Sequence, residues 1–464
     1  MHTLRQTLTK TRNYFSSKFE SFFYGEYFPI ILALFALFFY YSDCKIVGLS
    51  IFLFFAILIF LLFEDLCPII PLLSTVLLMF NDFGIFNQLT TYIPIALTFI
   101  AFVLHFIIYP PKFEKGLLFL PLIILSVALF LSGIFSPYLS CYMDGIAFRI
   151  AAGPVVLLVY YVFTTYVKPK NNFDLKKYTC YVLVIVGLTC FAQFALNRLG
   201  FNTHEMRYEE HLGWNNPNGV ASLLLVTIPA GFYLLVNTKR TAVCLISIIC
   251  MYCALILSKS EGCICIGVLF VPILCFYAYK FSNKKFKSTI IINICLLMSA
   301  LTVILLTLYF SLEEFNQIVD KIVTSMSSPH GRNGLYEQAV EMFSKFPIFG
   351  TGFGYKPPNA SLETNSVVIY NYHSTLLHIM ATMGIVGIIV YAYYFINRYR
   401  ILTHKLCDFN MFAFLSFTMM EVYGFIDTSE FNIMPLMIIV TILLIAVEKS
   451  NDKKENLLPL TKQI

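Results

Sequence analysis

Long apolar runs separated by short polar connections fill the chain. Runs close to the roughly 20 residues that a bilayer core requires lie near 27–43, 46–63, 67–82, 90–109, 117–134, 150–167, 178–197, 217–236, 242–258, 262–280, 289–310, 373–396, 409–426 and 431–447. Each predicts a helix that crosses a membrane, because only helices and closed barrels satisfy their backbone groups in lipid. The run 67–82 is short, contains Pro68 and Pro71, and fits a re-entrant segment as well as a span. The expected fold is therefore an all-α polytopic membrane protein with about 12–14 transmembrane helices.

Two connections break the pattern of short loops. One runs from about 198 to 216, and the other covers 311–372, 62 residues. A loop that long in a compact protein is usually functional or disordered. Within it, 332–346 places Leu335, Ala339, Met342, Phe343 and Phe346 at helical spacing. Pro347 ends that helix, and Gly350, Gly352 and Gly354 permit a tight turn after it. The prediction is an amphipathic helix lying on one face of the bundle.

Composition removes the alternatives to a membrane protein. Apolar residues make up 58% of the 464 and charged residues only 12%, where a soluble fold carries about 25% charge to wet its surface. A net charge of +6 is too small to suggest a nucleic-acid partner. Most of the 13 cysteines fall inside apolar runs, so they read as small hydrophobes. The basic N-terminal stretch has no small-residue cleavage site after a short apolar region, which predicts no removable signal peptide.

Charge also predicts sidedness. Compact basic clusters (Lys168, Lys170, Lys176 and Lys177; Lys280, Lys284, Lys285 and Lys287; Arg398, Arg400 and Lys405) alternate with loops poor in Lys and Arg. The excess of Lys and Arg marks the cytoplasmic side, so both termini are expected inside and the two long loops outside. The organisation follows: a cytoplasmic basic segment 1–26, N-terminal helices 27–197, a core 198–447 including the loop 311–372, and a cytoplasmic tail 448–464.

With so little charge outside, the outer polar residues are the candidates for chemistry. The first loop carries His204, Glu205, Arg207, Glu209, Glu210 and His211, then Trp214 and Asn216-Pro217-Asn218. Trp214 suits an interfacial anchor, and Asn218 suits a helix cap. A turn at 258–262 holds Ser258, Lys259, Ser260 and Glu261 between two spans. Arg332 starts the amphipathic helix, and His373 stands where the long loop re-enters the membrane. His378, five residues on, falls on another helix face and reads as core or pore lining, while Asp427 and Glu430 read as solvated loop residues. The alternating glycines at 350–354 follow no strand and do not suggest a nucleotide loop.

The order of these pieces resembles the O-antigen ligase and polysaccharide polymerase superfamily of integral membrane glycosyltransferases. Asn216-Pro217-Asn218 opens a span, a Ser-rich turn follows the next, and a late outer loop carries Arg332, an aromatic-rich helix, the segment PIFGTGFG at 347–354 and then His373. The resemblance covers roughly 200–400. It implies glycosyl transfer without a metal or other cofactor on the outer face of a bacterial cytoplasmic membrane. It further implies a polyprenyl-diphosphate-linked oligosaccharide donor and an acceptor glycan, with a flippase and a chain-length regulator as companions. Arg332 would carry the charge that develops on the departing diphosphate, since a guanidinium pairs with phosphate bidentately and keeps its charge. His373 would take the proton of the acceptor hydroxyl, because imidazole titrates near neutral pH. Where the family shows Ser-Arg in the small turn, this chain has Ser260-Glu261. Lys259 or Arg207 is then the second phosphate contact, Glu261 orients Arg332 or His373, and Asn218 joins the substrate-binding set.

Three functions fit. The first is polymerisation of lipid-linked repeat units into a surface or capsular polysaccharide. The second is a ligase that moves finished polymer to a lipid or cell-wall acceptor. Abundant Phe, Lys, Asn, Ile and Cys suggests an AT-rich genome, and an organism without an outer membrane could not ligate to lipopolysaccharide, which tilts the expectation toward polymerase. The third is a lipid-oligosaccharide flippase or transporter, which would usually show matched halves or broken helices with buried charge at midplane.

Overall fold

The computed structural model describes residues 15–42, 44–76, 89–112, 114–138, 145–169, 173–200, 217–283, 287–310, 332–354, 372–428 and 434–455. Among them all regular structure is helical, and every one of the fourteen apolar runs contains a helix. In chain order these are α1 (Phe15–Phe23), α2 (Tyr27–Tyr41), α3 (Lys45–Leu62), α4 (Ile69–Val76), α5 (Leu89–Ile108), α6 (Phe119–Ile134) and α7 (Ile146–Ile150). A π-turn at Ala151–Val155 joins α7 to α8 (Val156–Tyr166). Then follow α9 (Leu175–Arg198), α10 (Pro217–Asn237), α11 (Thr241–Leu257), α12 (Glu261–Phe281) and α13 (Lys287–Phe310). The last four are α14 (Arg332–Lys345), α15 (Thr375–Thr403), α16 (Asp408–Gly424) and α17 (Met434–Glu455).

Among the described residues, six helices (α3, α5, α9, α10, α12 and α15) are each long and apolar enough to cross a membrane, and the bent pair α1–α2 would make a seventh. Three further apolar stretches, Phe119–Ile134, Ala151–Tyr166 and Thr241–Leu257, are shorter than 18 residues, and α13 has 24 residues. In the run 67–82 the helix α4 has only eight residues, about 12 Å at 1.5 Å per residue. Residues 77–82 of that run lie outside the described residues. Outward-facing Ile93, Leu97, Phe99, Ile100 and Ile107 on α5 are exposed, as a lipid-facing helix requires.

The helix α10 is the axis of the bundle, packed by α9, α11, α12 and α16. It carries no charged residue and is apolar on every face, the pattern of a fully buried helix. Val220, Ala221, Leu223, Leu224, Leu225, Val226 and Ile228 are all inaccessible. At its N-terminal end Pro217 occupies the first helical position, where its missing N–H costs nothing. This fixes Asn218 at one end of the bundle and the Thr238–Arg240 connection about 30 Å away at the other.

The predicted amphipathic helix and glycine turn both form. Ala339 of α14 is fully buried against Tyr372 and Ala381, with Met342 and Leu377 beside them. The segment after it inserts into a break in α15. At Gly384 the backbone turns to φ 63°, ψ −155° inside an otherwise helical stretch, which exposes the backbone groups of neighbouring residues. Residues 347–352 satisfy them: the Thr351 and Gly352 amides donate to the Ala381 and Thr382 carbonyls at 2.9 Å each, and the Ile385 amide donates to Pro347 at 2.8 Å. Gly350 (φ 70°) approaches so closely that a Cβ would lie 2.3 Å from the Thr382 carbonyl carbon. Ser136 donates to the Thr351 carbonyl, and the buried Arg149 guanidinium donates to the Phe353 carbonyl at 3.2 Å. A broken helix inside a membrane protein is tolerated when protein fills the gap; here 347–354 fills it.

One basic residue used to infer sidedness is buried inside the bundle. Arg398 lies within α15 with no exposed surface, 3.4 Å from Glu421 of α16. Its guanidinium lies 4.1 Å from the Tyr394 ring centroid and 4.6 Å from that of Phe417. A lone buried charge would be costly, so it is paired and covered by aromatic faces.

Candidate functional site

At the Asn218 end of α10, three segments converge on one carboxylate. Asp427 follows the last turn of α16 and is 5% exposed. The expectation that it is a solvated loop residue is therefore overturned, because Asn218 and His373 from distant parts of the chain close on it beside its near neighbours Tyr423 and Thr428. Oδ1 accepts from the Thr428 amide at 2.7 Å and faces His373 Nδ1 at 3.0 Å. Oδ2 accepts from Asn218 Nδ2 at 2.9 Å and from the Tyr423 hydroxyl at 3.0 Å. An ionised carboxylate offers about four lone-pair sites, and these donors fill them. Burial raises the carboxyl's pKa, but the hydrogen bond and charge of His373, the Thr428 amide and Tyr423 outweigh it. The net position is below the usual carboxylate range.

That ionisation assigns the histidine tautomer. A carboxylate only accepts, so Nδ1 of His373 must carry the proton that it donates, leaving Nε2 as the basic nitrogen. The His373 side chain is 36% exposed against 7% for Asp427, so the imidazole faces out over a buried anchor. Its backbone is also held in place. His373 has φ 48°, a left-handed conformation that costs an L-residue about 1–2 kcal/mol. The Tyr336 hydroxyl of α14 donates to its carbonyl at 3.1 Å.

The small turn abuts the same cluster. Ser260 Oγ lies 3.5 Å from the Tyr423 hydroxyl, and a Cβ on Gly262 would lie 3.0 Å from the Tyr423 ring. Lys259 is exposed and has φ 53°. Among the described residues, Lys259 and His373 are the non-glycine residues with positive φ. Such backbone strain clusters at functional sites, where surrounding contacts enforce it. Glu261 is the first residue of α12, where its carboxylate suits the helix dipole.

The other candidates are placed less fully. Arg332 begins α14, four positions before Tyr336, and residues i and i+4 share a helix face. Its backbone thus starts one turn from the residue that holds His373. Arg207 and Trp214 lie outside the described residues, as does Glu430. His378 is buried beside the Phe353 ring at 5.5 Å, in keeping with a core position. Sequence reasoning missed Asp427, Tyr423 and Tyr336. The spacing of Tyr423 and Asp427, one helical turn apart after a span, is a weak signal that no single-sequence pattern would single out.

The fold and the cluster define a polytopic all-α membrane protein with a histidine–carboxylate pair at one end of its bundle. Residues 225–392 match the family model described as O-antigen ligase. The match takes in the small turn, α14, the 347–354 segment and His373, and stops short of Asp427. No curated protein matches the chain.

Proposed function

We propose that the protein is a membrane glycosyltransferase that polymerises polyprenyl-diphosphate-linked oligosaccharide repeat units into a surface polysaccharide. The reaction would take place at the extracytoplasmic face of the bacterial cytoplasmic membrane. The observation that carries this reading is the buried, fully hydrogen-bonded Asp427 holding Nδ1 of the half-exposed His373 at 3.0 Å. That geometry leaves Nε2 able to take the proton of an acceptor hydroxyl. As the new bond from that oxygen to the anomeric carbon forms, the bond to the diphosphate breaks and the leaving group keeps the electron pair. Arg332, with Lys259 or Arg207, would balance the charge that builds there. Because side-chain cations supply this charge, the reaction would need no metal.

The rival reading is a ligase that transfers finished polymer to a lipid or cell-wall acceptor. The description of the family matched by 225–392 favours it. Purified protein given a lipid-linked repeat unit in the presence of a chelator separates the two. A ladder of products supports polymerisation, and one transferred product, dependent on a separate acceptor, supports ligation. Loss of all transfer on chelation would overturn the metal-free chemistry.

A further inference from the structure

At the end of the bundle opposite Asp427, a groove of about 1010 Å³ opens between α2, α9, α10 and α11. Its walls are apolar, with Ile30, Leu34, Leu37, Val184, Leu188 and Leu234 among them. Of the hydroxyls among the lining residues, that of Tyr178 is buried without a hydrogen-bond partner and the others are already spent. Thr189 donates to the Ile185 carbonyl at 2.7 Å, Ser247 to the Val243 carbonyl at 2.9 Å, and Tyr181 to the Glu26 carbonyl at 3.0 Å. Ordered water needs two to four polar partners, and these walls offer few. A chain-like apolar occupant fits them better.

The mouth has the opposite character. Lys177, Lys239 and Arg240 stand at it with Glu26 and Asp174. Arg240 pairs with Glu26 at 2.8 Å and Lys177 with Asp174 at 3.6 Å, so the rim keeps a net positive charge with Lys239 beside those pairs. Basic pockets between membrane helices recognise anionic lipid headgroups. We infer that this groove binds an anionic phospholipid of the adjoining leaflet, its acyl chains between α2, α9, α10 and α11 and its phosphate at Lys177, Lys239 and Arg240. The donor's polyprenyl chain is a poorer occupant. Its diphosphate belongs near His373, about 30 Å away along α10. The site is independent of the catalytic reading, because it uses none of the residues around Asp427.

Native mass spectrometry of the full chain tests this, with protein released from micelles containing equimolar phosphatidylglycerol and phosphatidylcholine. Each basic side chain near an anionic lipid contributes roughly fivefold in binding. The wild type should therefore retain phosphatidylglycerol at least about tenfold over phosphatidylcholine. Lys177→Gln with Lys239→Gln leaves the Arg240–Glu26 pair intact and should remove most of that preference without changing the melting temperature in lipid-free detergent. Leu34→Trp with Val243→Trp, both at exposed positions, should fill the groove and lower retention of both lipids. Equal retention of the two lipids by the wild type would overturn the proposal. So would an unchanged preference in the lysine variant, or displacement of phosphatidylglycerol by a polyprenyl phosphate.

Discussion

Asn218 and Asp427 are separated by 209 residues and meet at 2.9 Å, amide to carboxylate. The contact ties the first turn of the central helix to the loop that anchors His373. It also changes the meaning of Asn216-Pro217-Asn218: the proline starts the helix, and the second asparagine braces the acid that holds His373.

Substitution of the two groups assigned to the chemistry should separate activity from folding. His373→Ala and Arg332→Ala are each expected to reduce polymer formation by on the order of 10²–10⁴-fold, while the protein still accumulates in the membrane. Product ladders from cells or purified protein read the activity, and membrane fractions read the accumulation. Full activity in both variants would sink the assignment.

Asp427→Asn keeps the volume and removes the charge that fixes the tautomer of His373. Turnover should fall by roughly 10²–10⁴-fold with substrate affinity little changed. Asn218→Ala removes one of four donors and should cost far less, about tenfold, since the hydrogen bond to a charged group is worth about 1.5–3 kcal/mol and only part of it acts on the histidine. A larger loss in Asn218→Ala than in Asp427→Asn would reverse the roles given to them.

Lys259→Ala and Arg207→Ala should divide into one severe and one mild phenotype. On the proposed function, one cation would complete the diphosphate site with Arg332 and the other would not. The strained backbone at Lys259 (φ 53°) favours it as the severe case. Equal and mild effects in both would leave Arg332 as the sole cation and refute a second phosphate contact.

Gly350→Ala should destabilise the protein by about 1–3 kcal/mol or more, because φ 70° and the approach to the Thr382 backbone leave no room for a methyl group. The 347–354 segment would leave the gap in α15 open, and polymer formation would fall together with melting temperature. A variant that melts like the wild type would show that this insertion is not needed for the fold.

The lowered pKa of Asp427 has a defined signature in stability. A carboxyl bound more tightly as the anion when folded stabilises the protein above the unfolded value, about 3.9 for Asp. That contribution is lost as pH falls through the lower folded value. The difference in melting temperature between wild type and Asp427→Asn should be constant above about pH 5 and shrink in stronger acid. A difference that grew on acidification would contradict the pairing with His373.

Much of the fold was legible along the chain. Apolar runs of span length dictate helices because lipid offers no partner to an open backbone, and every such run contains a helix. The α14 helix and the glycine turn could be read from spacing, since helix period and φ freedom are local properties. His373 and Lys259 could be singled out because charge and imidazole are rare against this apolar background. What the chain order could not supply was pairing. Arg398 looked like part of a cytoplasmic cluster, yet it is buried against Glu421. Asp427 looked like one solvated acid among several, yet Asn218, His373, Tyr423 and Thr428 close around it. The sequence by itself determined the helices, the turn and the scarcity of outer charge, because each depends on neighbours a few residues away. Only the tertiary structure decided which acid holds the histidine, because a carboxylate's ionisation and hydrogen bonds are set by groups that packing brings from across the chain.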